Sequence, residues 1–485
     1  MNKSRRRCVG LLSFLKTAAQ FTQAPFSSVK PQPTYVLGNT SADLDSIISA
    51  IIYSYFATSA QTQHGLQYIP AINLADVPAG RELRRLRPEF TAALNLATQR
   101  PLENLQTKGT GGLKVLPDDD NTDNLLNESI LTVAELRHNL LSWKKLDDRQ
   151  ALKLNVFMVD WNALPKVTPH EFGVHGLTDR IEGVSVSVVG CIDHHEDEGF
   201  ISKYLTPCSG TEASCIQTGV GSCTSLIIRE LRNRGWWNDH SSPMVDGTSS
   251  DVVTPGGMDE CEGPLEFESQ AAQLALAAIL ADTANMTMES KVSDVDREAV
   301  KFLENKIKQC SSIAWDRDMF YHRIMDAKSS SVDYLTAQET LGRDYKEWVE
   351  SVRPGHNVKI GICSVVKPVS WLLEKCKSEN PQEDCDEEAF FDVLSSFSQA
   401  RNLDVAVIMA AFSSPRENEF QRELVFTILN DEHLSKLKEF EDVAVNYLKL
   451  EKRPFSETNK DLPEIGLKTR NSIQTEDENM PTSIV

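Results

Sequence analysis

The chain has 485 residues, a formal net charge of −20 at pH 7 and 40% apolar residues. This length allows two to four domains, and the apolar fraction supports globular cores. The acidic balance excludes a generally basic nucleic-acid coat, and no apolar run approaches the roughly 20 residues of a membrane-spanning helix. Ten cysteines lie scattered without a Cys-x-x-Cys pair, and no secretory signal is evident. Free thiols in a reducing, cytoplasmic setting are the plain reading.

Residues 1–42 hold Lys3, Arg5, Arg6, Arg7, Lys16 and Lys30 but no acidic residue. Two readings compete. The segment suits a mitochondrial presequence, which would place the protein in the matrix. The alternative, which is favoured, is an ordinary N-terminal helix docking Leu11, Leu12, Phe14 and Leu15. Next, Thr34–Asn39 reads as a strand that ends at Gly38 and Asn39. Ile47–Phe56 reads as a buried helix, so Asp43 and Asp45 fall in a strand-to-helix loop near a helix N-terminus. One Asp suffices as a cap, which leaves the other unexplained. Residues 104–127, 239–268 and 377–388 read as inserted loops. The run Asp118–Asp120 reads as a solvated charge cluster.

Leu154–Val159 reads as a second strand, ending at Asp160-Trp161-Asn162, where turn chemistry alone could explain the polar residues. Val184–Ile192 is a third, ending at Asp193-His194-His195 and an acidic turn. Cys223, in Gly221-Ser222-Cys223-Thr224-Ser225, is read as part of a small-residue turn rather than as a nucleophile. Leu274–Ala281 reads as a buried helix, with a strand as the alternative, and ends at Asp282-Thr283-Ala284-Asn285-Met286. Residues 287–317, including Val300–Cys310, read as a connecting helix and linker. Val358–Val366, Leu403–Phe412 and Leu424–Leu429 alternate with helical stretches such as Glu388–Gln399, the pattern of a smaller α/β unit.

Four apolar segments thus end in Asp43, Asp45, Asp160, His194 and Asp282. Carboxylates brought together repel, and divalent cations are the natural compensation. Carboxylate and imidazole ligands suit magnesium, manganese or cobalt. Two such ions about 3.5–4 Å apart form an arrangement used for phosphoryl hydrolysis. The net charge of −20 demands a local basic cleft for an anionic substrate. Lys346, Lys359, Lys367, Arg422, Arg343 and Arg416 are the candidates.

With these residues in view, the chain resembles the DHH phosphoesterase family, in its fungal-type exopolyphosphatase branch. Gly38–Ser46, Val159–Asn162, Ile192–His195 and Ile279–Met286 match the motifs in order, with Gly221–Ser225 as a fifth. Leu341–Lys346, Lys359–Lys367 and Gln421–Val425 resemble the C-terminal domain called DHHA2. The resemblance covers roughly residues 33–430 and implies an α/β fold, a parallel-sheet DHH catalytic domain followed by a smaller α/β DHHA2 domain.

It also implies roles. Asp43 would serve one metal and Asp45 the other, with Asp160 bridging both. His194 and Asp282 would complete the ligand set of the second metal. His195 would face substrate phosphate, and Asp193 would orient the site. Lys346, Arg422, Ser222 and Arg470 would bind substrate. Asn39 stands where related pyrophosphatases have His; as a weak ligand with a hard oxygen it points to magnesium, with manganese or cobalt as alternatives. The family's C-terminal Ser/Thr-Arg-Lys-Gln segment has only Lys468-Thr469-Arg470 as its counterpart.

The expected division is an N-terminal helix or presequence over 1–32, a DHH domain over 33–305, a linker over 306–317, a DHHA2 domain over 318–470 and a polar tail over 471–485. The expected activity is release of terminal orthophosphate from inorganic polyphosphate by a metal-activated hydroxide in a cleft between the domains. Neither nucleic acid nor membrane is an expected partner. The alternatives are hydrolysis of short polyphosphates or nucleoside tetraphosphates, and a catalytically weak interaction scaffold.

Overall fold

The computed structural model describes residues 9–22, 31–61, 65–98, 118–144, 151–168, 171–205, 214–238, 264–310, 315–353, 356–382, 386–413, 420–428, 446, 451–452 and 465–468. Two compact units divide between Lys328 and Ser329.

The first unit begins with α1 (Leu11–Phe21), β1 (Thr34–Leu37), α2 (Leu44–Gln61), β2 (Tyr68–Ala71), α3 (Arg81–Leu86), α4 (Pro88–Ala97), α5 (Asp120–Ser129) and α6 (Val133–Lys144). It continues through β3 (Leu152–Val159), β4 (Lys166–Thr168), β5 (Glu171–Phe172), β6 (Val184–Asp193), α7 (Ile201–Tyr204), β7 (Ser214–Ile216), α8 (Cys223–Asn233), α9 (Pro264–Asp282), α10 (Asp294–Cys310) and α11 (Arg317–Ser331). β4 and β5 form a small antiparallel pair. The main sheet is parallel throughout, in the order β2-β1-β3-β6-β7. Its central strands are buried nearly end to end, as a parallel sheet covered on both faces requires.

The strand order reverses beside β1, between β1 and β3. In open α/β sheets that is where the connections diverge to opposite faces and leave a crevice at the carboxyl ends of the strands. Leu37 pairs with Met158, and Val159 with Ile192. Asn39, Asp160 and Asp193 therefore emerge in a row along one sheet edge.

Two helices back this edge. Almost every side chain of α2 is buried, and a helix apolar on all sides belongs inside a core. The segment read as helix or strand at Leu274–Ala281 lies within α9, and its Ala and Leu side chains are fully buried as far as Leu280. Helix α1 docks Leu11, Phe14 and Leu15 into the same core, with Leu12 half-buried against it. Leu11–Phe21 thus packs in the core of the first unit; residues 1–8 lie outside the described structure.

Several expected boundaries move. Residues 120–127 of the first predicted loop belong to α5, capped by Asp119 and burying Leu125 and Leu126. Asp118 and Asp123 pair with Arg81 and Arg84. The expected loop 239–268 gives way to α9 at Pro264, and Glu268 pairs with the buried Lys306. In the third, α13 (Val369–Glu379) ends and α14 (Asp386–Gln399) begins. The expected linker 306–317 overlaps α10, whose Phe302, Leu303 and Ile307 pack in the first core. The division comes later than residue 318 because Phe320 and Ile324 of α11 also join that core.

The second unit contains a 3-10 turn (Val332–Tyr334), α12 (Ala337–Arg343), β8 (Tyr345–Arg353), β9 (His356–Val365), α13, α14, β10 (Val405–Ser413), β11 (Phe420–Ile428), β12 (Glu451–Lys452) and β13 (Ile465–Lys468). Its mixed sheet has the order β12-β13-β11-β10-β9-β8, with β9 and β10 parallel. One face packs Cys363, Val365, Ala406, Ile408 and Val425 against Leu341, Leu372 and Phe397 of α12–α14. No helix among the described residues is long and apolar enough to cross a membrane.

Candidate active site

Asp160 follows β3 in the left-handed region, at φ 62°, a conformation that Asp adopts more readily than most residues. The side chain is buried. Its Oδ2 accepts from the Ser46 hydroxyl at 2.5 Å and from Asn39 Nδ2 at 2.9 Å. Its Oδ1 lies 3.1 Å from His194 Nε2 and 3.7 Å from His195 Nδ1. Oδ1 nevertheless accepts no well-directed hydrogen bond. Among the described residues, one ligand atom each of Asp160, His194 and His195 lies within 4.8 Å of the other two.

His194 Nδ1 lies 2.8 Å from the Val220 carbonyl oxygen, which can only accept. That contact assigns the proton to Nδ1 and turns Nε2 toward Asp160. Burial alone would lower the His194 pKa. The adjacent Asp160 carboxylate, then the charge of Asp45 and the Val220 carbonyl, outweigh it and push the pKa up to about 10 in the metal-free protein. Asp160 itself is pushed up to about 6, first by burial and then by the charges of Asp43 and Asp45, with His194 and His195 opposing. Burial, then Asp45 and Asp43, raise the half-buried Asp282 well above the ordinary carboxylate range.

The four carboxylates thus feel one another across the carboxyl end of the sheet. An unbonded buried carboxylate oxygen facing an imidazole nitrogen whose tautomer is already set fits a divalent cation, which takes the place of a proton there.

Asp43 and Asp45 have different local duties. Asp43 Oδ1 accepts from the Ser46 N–H at 3.0 Å and caps α2, so the capping explanation holds for this carboxylate. Asp45 reaches the N-terminus of α8. Its carboxylate accepts from Cys223 N at 2.6 Å, Thr224 N at 3.0 Å, Thr224 Oγ1 at 2.6 Å and Ser222 Oγ at 2.8 Å. A helix N-terminus stabilises an anion so placed.

Asp193 is fully buried. Its Oδ1 accepts from His195 Nδ1 at 2.8 Å and from the His194 N–H at 2.8 Å. Burial works against its ionisation, but the hydrogen bond and charge of His195, with Asn162 and His194, hold the carboxyl below its usual range. With Nδ1 held, His195 keeps Nε2 for other contacts, and its side chain is 40% exposed.

Two expected roles change. Asn39 does not present its oxygen to a metal. Its Oδ1 accepts from Ser41 Oγ at 2.7 Å and the Ala42 N–H at 3.1 Å, while Nδ2 donates to Asp160. A backbone donor on one side and a carboxylate on the other leave no alternative orientation of the amide. Asn39 supports Asp160. Ser222, expected at the substrate, is fully buried and donates to Asp45.

Residues 322–471 match the DHHA2 domain family. A curated protein of Schizosaccharomyces pombe (strain 972 / ATCC 24843), named "Putative exopolyphosphatase", is 25% identical over 400 residues, spanning 82% of this chain and 77% of that protein. Residues 322–471 thus carry a DHHA2 domain, and most of the chain is similar to that exopolyphosphatase-named protein.

Two solved structures are similar at low identity. One is titled "Crystal structure of Methanococcus jannaschii putative family II inorganic pyrophosphatase", with 18% identity, TM-score 0.44 and coverage of 91% of this chain and 96% of that one. The other is CDC45 from Entamoeba histolytica, with 9% identity, TM-score 0.21 and coverage of 94% and 95%. Both superpositions are loose.

In the DHHA2 domain, Lys346 and Arg422 are exposed. Lys346 pairs with Ile362, Ile362 with Val407, and Arg422 with Ala411. Side chains alternate along β10, so Val407 and Ala411 share a face, and Lys346 and Arg422 therefore share it too. It is the face opposite α12–α14. Lys359 pairs with Glu347 at 3.0 Å and donates to the Arg401 carbonyl, Lys367 lies 3.7 Å from Asp333, and Arg343 is buried. Arg416 and Arg470 lie outside the described residues.

Sequence reasoning missed Asn162 as a functional residue, although it sits in the second motif. It is buried and donates from Nδ2 to Asp193 Oδ2 at 2.5 Å and to the Glu196 carbonyl at 2.8 Å. Its Oδ1 accepts from the Glu198 N–H at 2.9 Å. Its position two residues after a ligand-type Asp at a strand end was the available signal. Cys223 is fully buried, and burial, followed by the charges of Asp160 and Asp45, raises its pKa well above the usual thiol range. It is not an activated nucleophile.

Proposed function

We propose that this chain hydrolyses inorganic polyphosphate, releasing terminal orthophosphate, with two divalent cations held by Asp43, Asp45, Asp160, His194 and Asp282. The observation that carries the reading is the buried Asp160 Oδ1, without a directed hydrogen bond and 3.1 Å from an imidazole nitrogen of set tautomer. The curated relative supports polyphosphate as the substrate class. Magnesium is the preferred ion, with manganese or cobalt as alternatives, because the donors are oxygen and imidazole. When bound, the ions supply a water acidified for attack and neutralise charge on the phosphoryl oxygens.

The chain's own residues do the rest. Ser46 and Asn39 hold Asp160 Oδ2, which would leave Oδ1 to serve a cation. Asp193 holds His195 Nδ1, and His195 Nε2 hydrogen-bonds a phosphoryl oxygen and stabilises its developing charge. Lys346 and Arg422, on one face of the DHHA2 sheet, bind further phosphates.

Phosphate release from long-chain polyphosphate with magnesium, beside tripolyphosphate, pyrophosphate and a chelator, tests the reading. Release from the long chain, lost with chelator and nearly absent with pyrophosphate, is the expected result. Release from short substrates alone would refute the long-chain assignment. Asp160→Ala should abolish turnover and metal binding together; an active variant would remove Asp160 from the site.

A further inference from the structure

The turn before α8 touches nearly every part of the proposed metal site, yet none of the expected ligands belongs to it. The Val220 carbonyl sets the tautomer of His194. Ser222, Cys223 and Thr224 together supply four of the donors to Asp45. Between them, Gly221 is wedged against the chain that follows Asp282: a Cβ there would stand 2.6 Å from the Lys291 carbonyl oxygen and 2.7 Å from Thr283 Cγ2.

Thr224 and Cys223 also bond Ser49 and the Ile192 carbonyl, and the turn has one further tie, at Gly221. Asp296, in the first turn of α10, is fully buried. Its Oδ2 accepts from the Gly221 N–H at 2.9 Å, the Ser293 N–H at 2.8 Å and Ser293 Oγ at 2.6 Å. The bonds to Ser293 are half of an ordinary capping arrangement for α10 and need nothing from Gly221. The bond to Gly221 is additional. It couples the start of α10 to a turn 75 residues earlier in the chain.

We propose that Asp296 is a positioning residue of the metal centre: by holding Gly221 it fixes the Val220–Thr224 turn, and through that turn it sets His194 Nε2 and the Asp45 carboxylate for cation binding. The inference rests on the metal-site reading above. Groups that orient ligands from behind typically change metal affinity or activity about 10–100-fold when removed. Asp296 acts on two ligands at once, so an effect of at least tenfold is expected.

The test is manganese binding by the full-length chain, followed by the loss of the free-ion paramagnetic resonance signal, with circular dichroism and thermal unfolding of the metal-free protein alongside. Asp296→Ala should fold and bind manganese at least about tenfold more weakly. Asp296→Asn keeps an oxygen acceptor for Gly221 and should recover most of that affinity. Ser293→Ala leaves the Gly221 bond and the Ser293 N–H in place, so it should lower the unfolding temperature while weakening manganese binding far less than Asp296→Ala does.

If Asp296→Ala does not fold, Gly221→Ala takes its place. It keeps the Asp296 and Ser293 side chains but forces the turn away from Lys291, Thr283 and the Asp296 carboxylate, and should show the same tenfold loss. Wild-type manganese affinity in a folded Asp296→Ala, or in Gly221→Ala, overturns the proposal. Asp160→Ala serves as the control: if it also binds manganese normally, the metal-site reading itself has failed.

Discussion

Replacing Asn162 by Asp changes two atoms' hydrogen-bonding character and almost no volume, in a place where Asn162 and Asp193 are both buried. Asn162 Nδ2 stands 2.5 Å from Asp193 Oδ2 and 2.8 Å from the Glu196 carbonyl. Asn162→Ala removes one bond to a charged group and two to neutral ones, the Glu198 N–H among them, together about 4 kcal/mol. Asn162→Asp loses the same two donors and sets a second carboxylate against the first. That repulsion costs about 1–2 kcal/mol more until one carboxyl takes a proton, since a tenfold change in a carboxyl's proton affinity corresponds to about 1.4 kcal/mol.

Both variants should therefore be less stable than wild type by several kcal/mol in urea unfolding of the metal-free protein, Asn162→Asp despite keeping its volume and its Glu198 acceptor. Its turnover should also fall by about tenfold or more, because Asp193 is what holds the His195 ring. A stability for Asn162→Asp equal to wild type would refute the assignment of Asn162 as the donor that keeps Asp193 ionised and aimed.

Three other expectations rest on the same geometry. Lys346→Ala should raise KM for polyphosphate and leave the unfolding midpoint unchanged, since Lys346 is exposed; unchanged KM and kcat would remove it from the substrate path. Cys223 should resist iodoacetamide in the native protein and react after denaturation, read by peptide mass spectrometry, because its thiol is fully buried. Rapid native labelling would contradict its packing. Leu15→Ala should destabilise the first unit by about 2–5 kcal/mol in urea unfolding, because its side chain is 1% exposed in the core. A neutral outcome would return Leu11–Phe21 to the reading of a detachable segment.

Much of the first unit was legible because its signals are local. A continuous apolar run that stops at a polar residue marks a buried strand and its end, and β1, β3 and β6 all stop at or beside the residues singled out. The helix-or-strand ambiguity at Leu274–Ala281 was real, since Ala and Leu fill both kinds of buried segment and periodicity vanishes when every side is covered. The preceding Pro264–Gln273 settles it by extending the helix to 19 residues. Loop boundaries were misplaced where acidic residues do helical work. Asp119 caps α5, and Asp386, Glu387 and Glu388 open α14, yet in the sequence each looks like a solvated charge.

The sequence by itself determined which residue types gather at the carboxyl ends of the strands, and hence the chemistry on offer. The tertiary structure alone decided which atom of each side chain is committed and which is spare. Asn39 and Asp160 are 121 positions apart, and Ser222 and Asp45 are 177 apart. No local pattern can report that an amide oxygen is already taken by its own turn, or that a serine expected at substrate is buried beneath a carboxylate. Composition and periodicity carry local preferences, whereas the direction of a hydrogen bond depends on a partner that only folding brings within reach.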